Sequence, residues 1–226
     1  MNTLLNLCYA LMWIGVLAFC WRKLPIGTRS LLFGVHCFFL HPIFVAIGWW
    51  RLYGFPFDPR LWVAFVVHDW GYWGKPNMDG PEGELHPYLG ARIMQKLFDH
   101  KSWTTPAPGY HALAISPWYH FTLMHSRFLA KQHLSRYSKL CCADKMAFVI
   151  EPRWFYLLRS NLSGEIHEYM NGVGCRTPAM ERNQWQWLTQ CQAYVRSWVM
   201  EHKDCKPDHW TGTVRDHARD VEETKC

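Results

Sequence analysis

The apolar positions of this chain fall in long blocks with helical spacing, and alternation with a period of two is sparse. The first block, residues 3–20, carries no charged side chain and is followed by Arg22, Lys23 and Arg29. It is just long enough to cross a bilayer core, and basic residues after it rather than before it would leave the body of the chain in the cytoplasm. A buried first helix of a soluble domain accounts for the same run. A second block, 31–50, contains His36, His41 and Pro42. Ionisable groups are costly at bilayer depth, so this block reads as buried helix carrying site residues, with Pro42 at a kink or a junction.

Gly54 closes that block, Pro56 and Pro59 bound a turn, and residues 61–69 form a short apolar helix ending in His68 and Asp69. Gly71, Gly74, Pro76, Gly80, Pro81 and Gly83 then make a long loop. Helical pattern resumes at Pro87, where the ring suits a first helical position, and continues to 100. A loop is expected over 102–109, helices over 118–133, 136–150 and 181–202, and a fraying polar tail beyond 203. The expected fold is all-α: an N-terminal apolar helix and basic linker (1–30), a helical domain (31–175), and a C-terminal helix with its tail (176–226).

With 226 residues, half of them hydrophobic, and 14 Trp, 13 Phe and 10 Tyr, the chain can build a core without disulfides or a structural metal. The net charge of +6 comes without a basic run, which argues against a dedicated nucleic-acid binder. It suits a small phosphorylated partner. Nine cysteines lack any C-x-x-C pair, so zinc-ribbon and thioredoxin readings fail, and thiols in apolar surroundings fit a reducing cytoplasm.

Thirteen histidines, most of those between 36 and 133 set within or beside apolar segments, point towards metal. The pair His68-Asp69 ends one apolar helix, His41 lies on another, and Asp144 sits in the apolar frame KLCCADKMAFVI. Buried aspartates need a partner, and a cation where these helices meet would serve both. His36 reads as a satisfied core histidine. Glu165, His167 and Glu168 lack the spacing of a zinc peptidase and read as a solvated helix face.

These residues resemble the HD-domain phosphohydrolase superfamily, whose pattern is a His, then His-Asp, then a distant Asp, all on helices. His41 opens H-P-I-F-V-A, Asp69 is followed by Trp-Gly, and Asp144 stands in Ala-Asp-Lys. His86 opens H-P-Y-L-G-A, similar to HD proteins with a two-metal centre, and His125 falls where those proteins place another ligand. The sequence departs in placing Tyr72 after Gly71, where many relatives have lysine, and it lacks a Gly-Tyr-Pro signature.

The resemblance implies an HD-domain helical bundle with metal ligands His41, His68, Asp69, His86, His125 and Asp144, and with His68 and Asp69 at its catalytic centre. Mixed nitrogen and oxygen ligation suits one or two ions of Mn, Fe, Co, Ni or Zn better than Mg. The expected activity is hydrolysis of a phosphomonoester or nucleotide by metal-activated water. A nucleotide-binding sensor without turnover, or a scaffold anchored to the inner membrane through 3–20, stands as the alternative. Lys75, Arg92, Arg127 and Lys145 are candidates for the phosphate, and Glu82 and Glu84 for orienting water or acting as an acid. On one continuous helix, Arg127 would diverge from His125 by about 200°.

Overall fold

Proline opens four of the helices, where its missing N–H costs nothing and its fixed φ suits the first turn. In the computed structural model, Pro42, Pro59, Pro87 and Pro117 stand in the first turns of α3 (His41–Tyr53), α4 (Pro59–Val67), α5 (Pro87–Met94) and α6 (Pro117–Leu123). Pro42 thus marks a junction, because α2 (Ile26–Phe33) ends well before it. The structure describes residues 2–99, 116–171 and 183–204. The expected loop at 102–109 and the tail from 205 lie outside them.

The remaining helices are α1 (Asn2–Lys23), α7 (Arg127–Gln132), α8 (Lys139–Ile150), α9 (Arg153–Ser163), α10 (Glu165–Asn171) and α11 (Gln184–His202). Among the described residues there is no strand, and their architecture is all-α. The 3–20 run does fold as a helix. Among the described residues, however, no helix is long and apolar enough to cross a membrane, so the expected span is not found.

Side-chain caps fix several boundaries. Asp58 accepts from the Arg60 amide, Ser138 from the Cys141 amide and Asn183 from the amides of Trp185 and Gln186. Each such cap is worth about 1 kcal/mol. The expected helix over 118–133 is broken: α6 stops at Leu123, and the Ser126 hydroxyl caps a new helix by accepting from the Leu129 amide. The buried Asp99 carboxylate holds the start of α6, accepting from the amides of Trp118 and Tyr119 at 3.1 and 2.9 Å.

The core that positions the site is the crossing of α3 and α8, the most extensively packed pair. Gly48 makes it possible: a Cβ there would lie 2.6 Å from the Ala143 carbonyl oxygen. Val45, Trp49, Phe65, Leu140 and Ala143 form one buried cluster between α3, α4 and α8. A second, including Leu123, Met124, Cys142 and Trp198, joins α6, α8 and α11. Phe65 is fully buried, which stabilises the fold by roughly 1.5–3 kcal/mol relative to an exposed ring. These contacts bring the first residue of α3, the end of α4 and the middle of α8 to one place.

Candidate metal centre

Each candidate ligand sits where a helix begins, ends or is crossed. His41 is the first residue of α3, His68 the C-cap of α4, His86 the N-cap of α5, and Asp144 the midpoint of α8. His125 lies in the break between α6 and α7. All six candidates, including Asp69, are buried. Gly71 lets the two halves meet, because its Cα lies against the His86 backbone, where an added Cβ would stand 1.9 Å from the carbonyl oxygen.

The donors form two groups, His41, His68, Asp69 and Asp144 in one, and Asp69, His86 and His125 in the other. Asp69 belongs to both. Its Oδ2 faces the His41 and His68 Nε2 atoms at 3.3 and 3.2 Å, while its Oδ1 faces those of His86 and His125 at 3.4 and 3.5 Å. Asp144 Oδ1 lies 3.0 Å from His41 Nε2 and 3.8 Å from His68 Nε2.

Backbone carbonyls set the rings. The Nδ1 atoms of His68, His86 and His125 lie 3.0, 2.7 and 2.6 Å from the carbonyl oxygens of Phe65, Gly83 and Thr122. Each Nδ1 therefore carries the proton and donates it, which leaves each Nε2 lone pair aimed inward when the ring is neutral. His86 and His125 present their Nε2 atoms to each other at 3.1 Å, beside a carboxylate oxygen. In neutral rings these are three acceptors converging without a donor. His68 Nε2 and Asp69 Oδ2 are likewise buried without a hydrogen-bond partner. Leaving such an atom unsatisfied costs about 1–3 kcal/mol.

A cation removes that cost, and the spacing suits it. Two ligand atoms about 2.0–2.2 Å from one ion, at angles from a right angle to tetrahedral, stand roughly 2.8–3.6 Å apart. From Asp69 to its four imidazoles, from His41 to Asp144 and between the His86 and His125 Nε2 atoms the separations fall in that range, while His68 to Asp144 lies slightly outside it. The two groups could therefore hold divalent metal ions.

Electrostatics show the same demand for positive charge. Burial would raise both carboxyls, but His68 and His125 hold Asp69, and Lys145, His41 and His68 hold Asp144, well below the usual carboxylate range. Burial opposes charge on His68 too, yet Asp69 and Asp144 push it up to about 10. Burial dominates at His86 and His41, whose pKa values are lowered.

A cavity of about 740 Å³ opens on the centre, reaching Asp69, His86, His125 and Asp144. Arg127 and Lys145 line it; Lys75 and Arg92 do not. The expected divergence of Arg127 from His125 fails because the helix is broken between them. Arg127 also packs over the Trp198 ring at 4.7 Å. Lys145 Nζ donates to Asp144 Oδ2 at 2.9 Å. Glu84 lines the cavity, its carboxyl pushed up to about 7 by burial and then by Asp79, whereas Glu82 is exposed and bonded to Asn77.

The expected solvated face at 165–168 is corrected in part: Glu165 is fully buried. Its carboxylate accepts from the Ser30, Ser163 and Tyr169 hydroxyls and the Val35 amide, and pairs with His36 Nδ1 at 3.3 Å. His36 is thus a partnered histidine, as expected, but it also lines the cavity. Tyr72, missed as a positioning residue, stacks on His86 with ring centroids 3.9 Å apart. Glu168, expected on that solvated face, lines the cavity as well and accepts from the Met78 amide. Lys131 and Asp79 also line it, and no motif in the sequence marked them.

No family model matches the chain, and no curated protein or solved structure is detectably similar to it.

Proposed function

We propose that this chain is a metal-dependent phosphohydrolase with an HD-type helical domain, acting on a phosphomonoester or nucleotide at a two-ion centre. The observation that carries the reading is Asp69, whose two oxygens each face a separate set of buried imidazole nitrogens. His41, His68 and Asp144 would hold one ion, His86 and His125 the other, with Asp69 between them. When bound, such ions lower the pKa of coordinated water towards neutrality and neutralise charge on a phosphoryl group.

The chain's own residues supply the remaining functions. Carbonyl contacts at Phe65, Gly83 and Thr122 fix three imidazoles, so little reorganisation is needed when the site is used. Lys145 holds Asp144 and extends positive charge into the cavity, and Arg127 offers a planar fork to a phosphate. Glu84, in the lining of the same cavity, would orient water or hand on a proton. A cavity of about 740 Å³ takes a substrate larger than phosphate itself.

Phosphate release from a panel of sugar phosphates and nucleotides, with Mn, Fe, Co, Ni or Zn added in turn to chelator-treated protein, tests the reading. Metal-dependent turnover that Asp69→Asn abolishes supports it. Nucleotide binding with no phosphate released under any metal would favour a sensor instead.

A further inference from the structure

Helix α9 is turned inside out. Its buried face carries Arg159, Ser160 and Ser163 beside Tyr156, while Trp154, Leu158 and Leu162 are 64, 60 and 53% exposed. Residues spaced by four share one face of a helix, so these three form a single apolar stripe. The polar inner face has its own reason: Arg159 donates to Glu151 and to the Gly34 carbonyl, and the Ser163 hydroxyl to Glu165. Nothing of that kind accounts for the outer stripe, which water disfavours.

The C-terminal end of α1 meets α9 at Leu162. The Trp21 indole N–H donates to the Leu162 carbonyl at 3.0 Å, and the Trp21 ring packs on Phe33 at 5.6 Å. Before this junction α1 exposes Tyr9, Met12, Trp13, Val16 and Phe19. A helix of 22 residues is about 33 Å long, and this one carries its charge only at the junction end, at Arg22 and Lys23. Both are exposed, and Lys23 lies over the Phe19 ring at 5.3 Å. Exposed aromatic and aliphatic side chains beside paired basic residues match the layering of a bilayer surface, with apolar groups entering the acyl boundary and cations at anionic headgroups.

We infer that the face made by the outer stripe of α9 and the exposed side of α1 docks on an anionic phospholipid bilayer. The charge pattern selects lipid over a second copy of the chain, because neither α1 nor α9 carries an acidic side chain that a second copy could set against Arg22 and Lys23, whereas anionic headgroups can meet both.

The test is flotation of the purified full-length chain with vesicles of phosphatidylcholine alone or of phosphatidylcholine and phosphatidylglycerol. The chain is expected to float with the anionic vesicles, more weakly with neutral ones, and less as salt rises. R22Q/K23Q is expected to weaken anionic binding by about 30-fold, at roughly fivefold per basic residue. W154S/L158S/L162S should weaken it at least about tenfold while leaving helical circular dichroism and metal content unchanged. Absence of flotation, binding equal for both vesicle types, or full binding by either variant would overturn the inference. So would a solution dimer that W154S/L158S/L162S dissociates, since that would assign the face to a second copy.

Discussion

Gly71→Ala offers a sharp test of how the two halves of the centre are held together. An added Cβ would stand 1.9 Å from the His86 carbonyl oxygen and 2.7 Å from its Cα. Contacts under 3.0 Å are not tolerated, so backbone must move by about 1.1 Å, and no flexible side chain can absorb the change. Overpacking of this kind costs about 1–3 kcal/mol. For a chain of this size that lowers Tm by roughly 2–12 °C. The larger effect falls on the ligands: metal sites tolerate about ±0.2 Å, and a misplacement near 1 Å costs roughly 100-fold in rate. The variant should keep the ion held by His41, His68 and Asp144, lose the one that needs His86, and drop about 100-fold in phosphate release. Metal content by mass spectrometry, thermal melting and initial rates measure the three effects. Unchanged stoichiometry and rate in Gly71→Ala would show that His86 is not a positioned ligand.

Other substitutions separate the parts of the account. Asp69→Asn should lower the content of both ions, whereas His86→Ala with His125→Ala should leave one, as read by metal content at equal protein concentration. Arg127→Ala is expected to raise KM several-fold, and Lys75→Ala to leave it unchanged, because Arg127 lines the cavity and Lys75 does not; equal effects in a steady-state assay would undo that distinction. Arg159→Met leaves the buried Glu151 carboxylate without its cation and should cost about 3–5 kcal/mol in denaturant unfolding, with a loss below 1 kcal/mol speaking against a buried pair. Phe65→Ala empties a fully buried position and should cost about 3–5 kcal/mol.

Much of the centre was legible because its residues break local rules. Aspartate in the apolar frame around Asp144 and a His-Asp pair ending an apolar helix have no comfortable burial without a cation, and the structure brings both to one point. Proline and glycine marked α3, α4 and α5 because their backbone limits are local. The break at 124–126 was not legible, since it depends on where Ser126 finds an amide to cap and on the packing of Met124. That one break moved Arg127 from an unfavourable helical phase to the cavity wall. Glu165 looked like a surface residue because its partners, Ser30, Val35 and His36, lie far away in sequence and only the fold assembles them. Lys75 shows the converse: it is near His68-Asp69 in the chain, but the loop packs it against Gly27 and it does not line the cavity.

The claim on which the rest depends is that Asp69 joins two cation sites. Metal content of the purified chain, compared with Asp69→Asn and with His86→Ala/His125→Ala at matched stability, tests it most directly. The account predicts up to two equivalents of a divalent transition metal in the native chain, one in the double variant and little in Asp69→Asn. The same small metal content in all three, with unchanged melting temperature on chelation, would contradict it.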